Sequence, residues 1–362
     1  MFKGWGLRGN LGFPLVGSLL LKNKSCFITC IIMKTYLQIL IFLMVLFLYV
    51  HLAHQYKRSE DLEIYELDYA SNAYLQEVCD VKQPVLFEYR SVAPEFYEAV
   101  TYDDLLDDRY ASYDIRVKEV ADYFVESSGP EISVDYVVLP YSSGSNLMKS
   151  DSKSAYFSEN NDEFVEESGL IAHLERNNDY LKPPMVVQTK YDLMLGSRGV
   201  ALPLRYHTHH RHFISVNSGK IRVKMTPWKS TKYLYPYRDF ETYEFRSPVN
   251  VWTPQKKYRH ETDKIRFLEF EVGEGFVLYV PPYWWYSIQY DNGVDTLLCS
   301  FTYNTPMNMV ANTPYYVKYY IQQSNIQKRV AKVLDYSEKH EISNPSSEDG
   351  AEDGGASPLS PR

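Results

Sequence analysis

Four of the chain's nine histidines fall within six residues, in the run Arg205-Tyr206-His207-Thr208-His209-His210-Arg211-His212. A neutral imidazole is a ready metal ligand and a general base near neutral pH. Alternate residues of a strand share one face, so His207 and His209 present two nitrogens side by side. That pair suits a divalent transition metal, provided a third donor arrives from elsewhere. Residues 277–290 contain no His, Asp, Glu or Cys. His260 lies in a basic stretch with Lys256, Lys257 and Arg259 that reads as a loop. The other reading of the cluster is a polar, solvent-facing strand end flanked by Arg205 and Arg211. The chain has no Ser-His-Asp arrangement in a motif context, no phosphate-binding glycine loop and no zinc-type cysteine spacing.

The elements that must position this run are strands. The 33 tyrosines tilt the composition toward sheet. The turn Asn217-Ser218-Gly219-Lys220 predicts a hairpin between strands near 210–217 and 220–226. Ile221, Val223 and Met225 alternate toward a core. Farther on, Gly273-Glu-Gly-Phe-Val-Leu-Tyr-Val-Pro-Pro-Tyr-Trp-Trp-Tyr-Ser-Ile288 reads as a glycine turn, a short apolar strand, a Pro-Pro break and paired tryptophans. Upstream, Val85-Leu86-Phe87 and Ile115-Arg116-Val117 read as strands. Thr101 with Asp104 three residues on reads as a helix cap. Residues 142–161 read as a loop and 163–181 as a helix.

The segments 192–237 and 273–303 resemble the two halves of the cupin-like, JmjC-type hydroxylase core, asparaginyl hydroxylases included. The likeness extends over residues 84–305. It implies a mainly β fold, a double-stranded β-helix (cupin/jelly-roll) with flanking helices. In that family a His-x-Asp pair and a distal histidine hold Fe(II), and a lysine on the return strand anchors 2-oxoglutarate. Here the distal position holds Tyr286. A gap-free count from Gly219 puts Tyr206 and Thr208 at the other two ligand places; anchoring on Pro203 puts Arg205 and His207 there. Ile221 stands at the lysine place. The resemblance therefore implies a barrel without catalytic residues or cofactor, serving as a binding or scaffold module for a peptide or protein at its mouth. Its pocket would be lined by Tyr206, Thr208, Tyr286, Arg205, His207, His209, His212, Ile221, Trp284 and Trp285. The alternative is an active Fe(II)/2-oxoglutarate oxygenase with a rearranged metal site on His207 and His209.

Residues 36–53 carry no Asp, Glu, Lys or Arg, a length that spans a bilayer. The expected organisation is a segment 1–35, with Met33 as an alternative start, a single-pass transmembrane helix 36–53 and a linker 54–80. A cupin-like domain 81–330 and a disordered acidic tail 331–362 follow. Lys3, Arg8, Lys22, Lys24 and Lys34 precede the span without any acid, which places the N-terminus in the cytosol; with a start at Met33, Lys34 faces Lys57 and Arg58 and the orientation stays open. The net charge of −8 gives no support for nucleic-acid binding. Four cysteines make no disulfide framework, although a Cys79–Cys299 bridge is compatible with an oxidising compartment.

Overall fold

The structure, a computed structural model, describes residues 15–124 and 136–325, without the side chains of 15–31 and 325. The first 14 residues and the tail 331–362 lie outside the described residues. Helix α1 (Leu15–Gln55) contains the one described stretch long and apolar enough to cross a membrane, Ile32–Gln55. Its mean hydropathy is 2.2 and none of its most apolar window is buried; a signal sequence would have the same properties.

Fifteen described strands follow. They are β1 (Tyr65–Leu67), β2 (Val85–Glu88), β3 (Asp114–Glu119), β4 (Tyr136–Pro140), β5 (Tyr156–Ser158), β6 (Gln188–Gly196), β7 (Arg205–Tyr206) and β8 (Arg211–Ser218). Then come β9 (Lys220–Thr226), β10 (Tyr237–Asp239), β11 (Glu244–Arg246), β12 (Leu268–Gly273), β13 (Phe276–Tyr279), β14 (Trp285–Tyr290) and β15 (Leu297–Asn304). One sheet has the order β1-β2-β13-β8-β15-β6-β5-β3-β4, the other β10-β11-β7-β14-β9-β12. From β6 to β9, and again from β12 to β15, the chain changes sheet at every step.

Side-chain alternation explains the layers. Ile214 and Val216 of β8 and Leu298 of β15 meet Ile221, Val223 and Met225 of β9 and Ile288 of β14 in the core between the sheets. The opposite faces of β8 and β15 carry Phe213, Cys299, Phe301 and Tyr303, which pack under helical residues such as Leu75, Phe96 and Leu174. β15 is buried along its whole length, as a strand covered on both faces must be. A third cluster, with Leu204, Phe245, Tyr283 and Trp285, closes the far side of the smaller sheet.

Gly219 sits between β8 and β9 as expected, and Ile221, Val223 and Met225 are buried. The two strands do not pair with each other; they enter opposite sheets, so Gly219 turns a corner of the sandwich. Its φ of 77° is left-handed, and a Cβ there would come 2.8 Å from the Asp295 carbonyl oxygen. Only glycine meets both conditions without strain.

Three further expectations are corrected. Residues 54–80 are not a free linker. β1 pairs in parallel with β2, Tyr65 opposite Val85. Helix α2 (Asn72–Cys79), capped by Ser71, buries Leu75 and Cys79 in the core. The charges of this stretch alternate with apolar residues, and the apolar ones are drawn inward. Residues 142–161 contain a helix, Tyr141–Ser150, that buries Tyr141 and Met148, and strand β5. Residues 163–181 break into three short helices, one break falling at Gly169 with φ 78°. The Thr101–Asp104 cap forms, with the Asp104 amide donating to Thr101 Oγ1 at 3.1 Å, but heads only a three-residue turn. Cys79 and Cys299 are buried and free.

Candidate functional site

Strand β7 lies between β11 and β14, and the pairing decides which of its residues look inward. Arg205 stands opposite Tyr286 on one side and Arg246 on the other; Tyr206 stands opposite Phe245. Directly opposed residues of antiparallel strands share a face. Arg205 and Tyr286 therefore point together into the space between the sheets. Tyr206 points the other way, stacked on Phe245 with ring centroids 5.1 Å apart and edge-on to Trp285 at 4.7 Å. Thr208 leaves the strand altogether. Its carbonyl oxygen accepts from the Asn308 and Asn312 side chains at 3.0 and 3.2 Å. Of the two sequence registers, the one anchored on Gly219 does not gather its residues, because Tyr206 and Tyr286 face opposite sides. The one anchored on Pro203 brings Arg205, His207 and Tyr286 together.

A cavity of about 200 Å³ opens here, lined by Arg205, Tyr206, Tyr286, Glu159 and by His207, His209 and His212. The His207 ring lies 4.8 Å from His212 and 5.4 Å from His209, centroid to centroid. Tyr286 lies about as close to His207, at 6.2 Å, as to His212, at 6.1 Å. The expected solvent-facing strand end is thus a buried cluster. Burial holds the His207 and His212 imidazoles well below their ordinary range, and neighbouring histidines push the same way. Burial lowers His209 to about 4. All three are neutral at pH 7.

Hydrogen bonds then decide which nitrogens retain a lone pair. His207 Nε2 donates to the Val280 carbonyl at 3.1 Å, and its Nδ1 accepts the His209 amide at 3.2 Å. Both nitrogens are committed. His209 Nδ1 pairs with Asn304 Oδ1 and His212 Nδ1 with Thr302 Oγ1, at 3.3 and 3.0 Å. Among the described residues no three His, Cys, Asp or Glu side chains are disposed to hold a metal ion.

The inner wall is ionic. Arg205 Nη1 meets Glu159 Oε2 at 2.6 Å; Lys118 Nζ meets Glu159 at 3.1 Å and Glu244 at 2.6 Å. Arg246 joins Glu244 at 3.4 Å. Lys118 and Glu159 are 5 % and 2 % exposed. Burial alone would discharge the Lys118 ammonium, but Glu244 and Glu159 hold it well above its ordinary range. Arg205 is likewise buried and held charged by Glu159. Burial also raises the Tyr286 phenol. Sequence reasoning missed Lys118, Glu159 and Glu244. They come from β3, from the end of β5 and from β11, and nothing local marks side chains 41 and 126 residues apart as partners.

The remaining candidates are structural. Trp284 and Trp285 are buried on opposite sides, their Nε1 groups donating to the Lys82 carbonyl and to Thr231 Oγ1. Ile221 packs in the core opposite Val272 and Tyr290, while Arg222 turns outward to Glu269.

No protein-family profile matches the chain. Among known proteins, it is 30% identical over 98 residues to HSPB1-associated protein 1 of Bos taurus, covering 27% of this chain and 20% of that protein. The rat protein of the same name is 29% identical over the same length. JmjC domain-containing protein D of Dictyostelium discoideum is 26% identical over 95 residues, 26% of this chain and 21% of that one. The chain thus spans about a fifth of the length of the relatives it matches. The similarity points to a JmjC-like, cupin-type family and to nothing finer.

Proposed function

We propose that this chain is a membrane-anchored, JmjC-like domain protein that has given up iron and 2-oxoglutarate chemistry and acts as a binding or scaffold module. The alternation of β6–β9 and β12–β15 between two sheets supports reading its core as a double-stranded β-helix. The observation that carries the functional reading is Arg205. Its guanidinium lies opposite Tyr286, on the face where the family's ligands converge, and is bound to Glu159 at 2.6 Å.

Fe(II) with 2-oxoglutarate does not fit these residues. A guanidinium has no lone pair to give and repels a cation. His207 has spent both nitrogens. Tyr286 must lose a proton to become a good ligand, and its surroundings oppose that. Glu159 and Glu244, which line the cavity, are already neutralised by Arg205, Lys118 and Arg246. Ile221 offers nothing to a 2-oxoglutarate carboxylate. A concave, partly polar mouth remains, and such mouths take ligands or peptide side chains. The reading with metal on His207 and His209 is disfavoured by the hydrogen bonds of His207.

The test is direct. The full chain, purified in detergent and supplied with Fe(II), 2-oxoglutarate and oxygen, is expected to hold substoichiometric iron and to form no succinate above a protein-free control. Stoichiometric iron with measurable succinate would overturn the reading. The anchor is tested separately: deleting residues 36–53 should release the protein from membranes. A deleted form that still resists carbonate extraction would refute the single anchor, which we propose to lie with its N-terminus in the cytosol.

A further inference from the structure

Of the last two described helices, Pro306–Ala311 is the seat on which α1 ends, and Thr313–Asn325 follows it directly. The Tyr56 hydroxyl donates to the Ala311 carbonyl. Just beyond, the Arg58 guanidinium lies 4.4 Å from the Trp228 ring centroid and 4.2 Å from that of Tyr283. Lys229 Nζ donates to the Glu60 carbonyl at 3.0 Å. The exit of the apolar segment is thus fixed against Pro306–Ala311 and the neighbouring residues Trp228, Lys229 and Tyr283.

Helix Thr313–Asn325 has two unlike faces. Tyr315 and Tyr316 turn inward, with ring centroids 5.5 Å from Phe245 and 5.3 Å from Tyr243. Val317, Tyr320 and Ile321, three and four residues apart, turn outward and are 48%, 67% and 63% exposed. Val310, in the helix that α1 touches, is 48% exposed. Soluble surfaces scatter such residues singly; a group of them marks an interaction site. Tyrosine and lysine suit the border between water and lipid; Lys318 borders this stripe, its ammonium 5.3 Å from the Phe240 ring centroid. In the sequence after residue 325, Lys328, Arg329 and Lys332 precede the first acid, Asp335, a local charge that matches anionic headgroups.

We propose that the outer face of helix Thr313–Asn325 lies in the headgroup layer of the bilayer that α1 crosses, giving the domain a second, peripheral membrane contact. Continuity with the seat of α1 selects lipid over a second copy or a protein partner. The inference rests on the anchor reading above, and its test keeps the two apart.

The full chain, with Cys26→Ser and Cys30→Ser, is reconstituted into nanodiscs of mixed zwitterionic and anionic lipid. A polarity-sensitive fluorophore is attached at Ile321→Cys or, as control, at Val294→Cys, which lies beyond the opposite end of β15. Residue 321 is expected to be quenched several-fold more by shallow spin-labelled lipid than by aqueous iodide, and residue 294 the reverse. Iodide-dominated quenching at 321 in protein that resists carbonate would overturn this inference and leave the anchor standing. Shielding of 321 from both quenchers would show a protein covering it, and would equally overturn it. Release of the protein by carbonate would remove the anchor and this contact together.

Discussion

Replacing Arg205 by methionine tests the ionic wall of the cavity. Methionine keeps most of the stem's volume and removes only the guanidinium. Glu159, 2 % exposed, then loses its contact at 2.6 Å and keeps only Lys118 at 3.1 Å. Two unit charges 4 Å apart in an effective dielectric of 20 attract by about 4 kcal/mol. Breaking one partner out of a buried pair costs about 3–5 kcal/mol. Because Lys118 stays, the lower end applies, about 3 kcal/mol on that same scale. For a domain of this size that lowers Tm by about 6–12 °C. Thermal unfolding followed by tryptophan fluorescence reads it, since four of the five tryptophans, all but Trp5, lie in the folded two-sheet domain. Adding Glu159→Gln to Arg205→Met should cost less than the sum of the single changes, because the carboxylate is no longer left half-paired. A methionine variant melting within about 2 °C of the parent would refute the argument, since it would mean that solvent already screens the pair.

Val223→Asp places an unpaired charge in a fully buried position between the sheets and should cost more than about 4 kcal/mol; a variant with the parent's Tm would sink the β9 register. Burial raises the Asp192 carboxyl from 3.8 to about 6, against the opposing amides of Asn160 and Asn161. The folded state therefore binds its proton more tightly than the unfolded chain, so stability falls as pH rises through that window and stays lower above it. Asp192→Asn should flatten that slope in denaturant melts at successive pH values, and an unchanged slope would place its origin elsewhere. Two triple variants separate the registers. Arg205→His with His207→Asp and Tyr286→His should take up Fe(II) or Mn(II) by calorimetry. Tyr206→His with Thr208→Asp and Tyr286→His should not, and metal uptake by the second set alone would reverse the assignment.

How much of this was legible beforehand depends on the range of the interaction involved. The alternation of Ile221, Val223 and Met225 and the glycine at 219 are local signals, and they located β9 and its turn. The same signals could not say whether β8 and β9 pair or diverge, because that depends on the partners each strand finds across the sandwich. At the site, spacing alone left two registers open. β7 is only two residues long, so strand alternation stops before Thr208, and cross-strand partners are needed to tell inside from outside. Burial of the histidines escaped for a related reason. Flanking arginines suggest solvent, yet Arg205 is neutralised by Glu159, and Arg211 is anchored to Gln76 and Asp80. The span 54–80 reads as a linker because most of its charges lie outside the short strand and the helix, while Glu66 and Glu77 face outward from them and Leu67, Leu75 and Cys79 face inward.

The docking of the segment after α1 bears on whether the domain can be shed. A protease needs several consecutive residues to enter its cleft in extended, accessible form, and loose tethers supply them. Here Tyr56, Arg58 and Glu60 are each held by the domain, and β1 begins at Tyr65. Almost no slack chain lies between the apolar helix and the first strand. Cleavage there would first require local unfolding of the clamp, so release of a soluble form would be governed by that opening equilibrium rather than by the sequence at the cut.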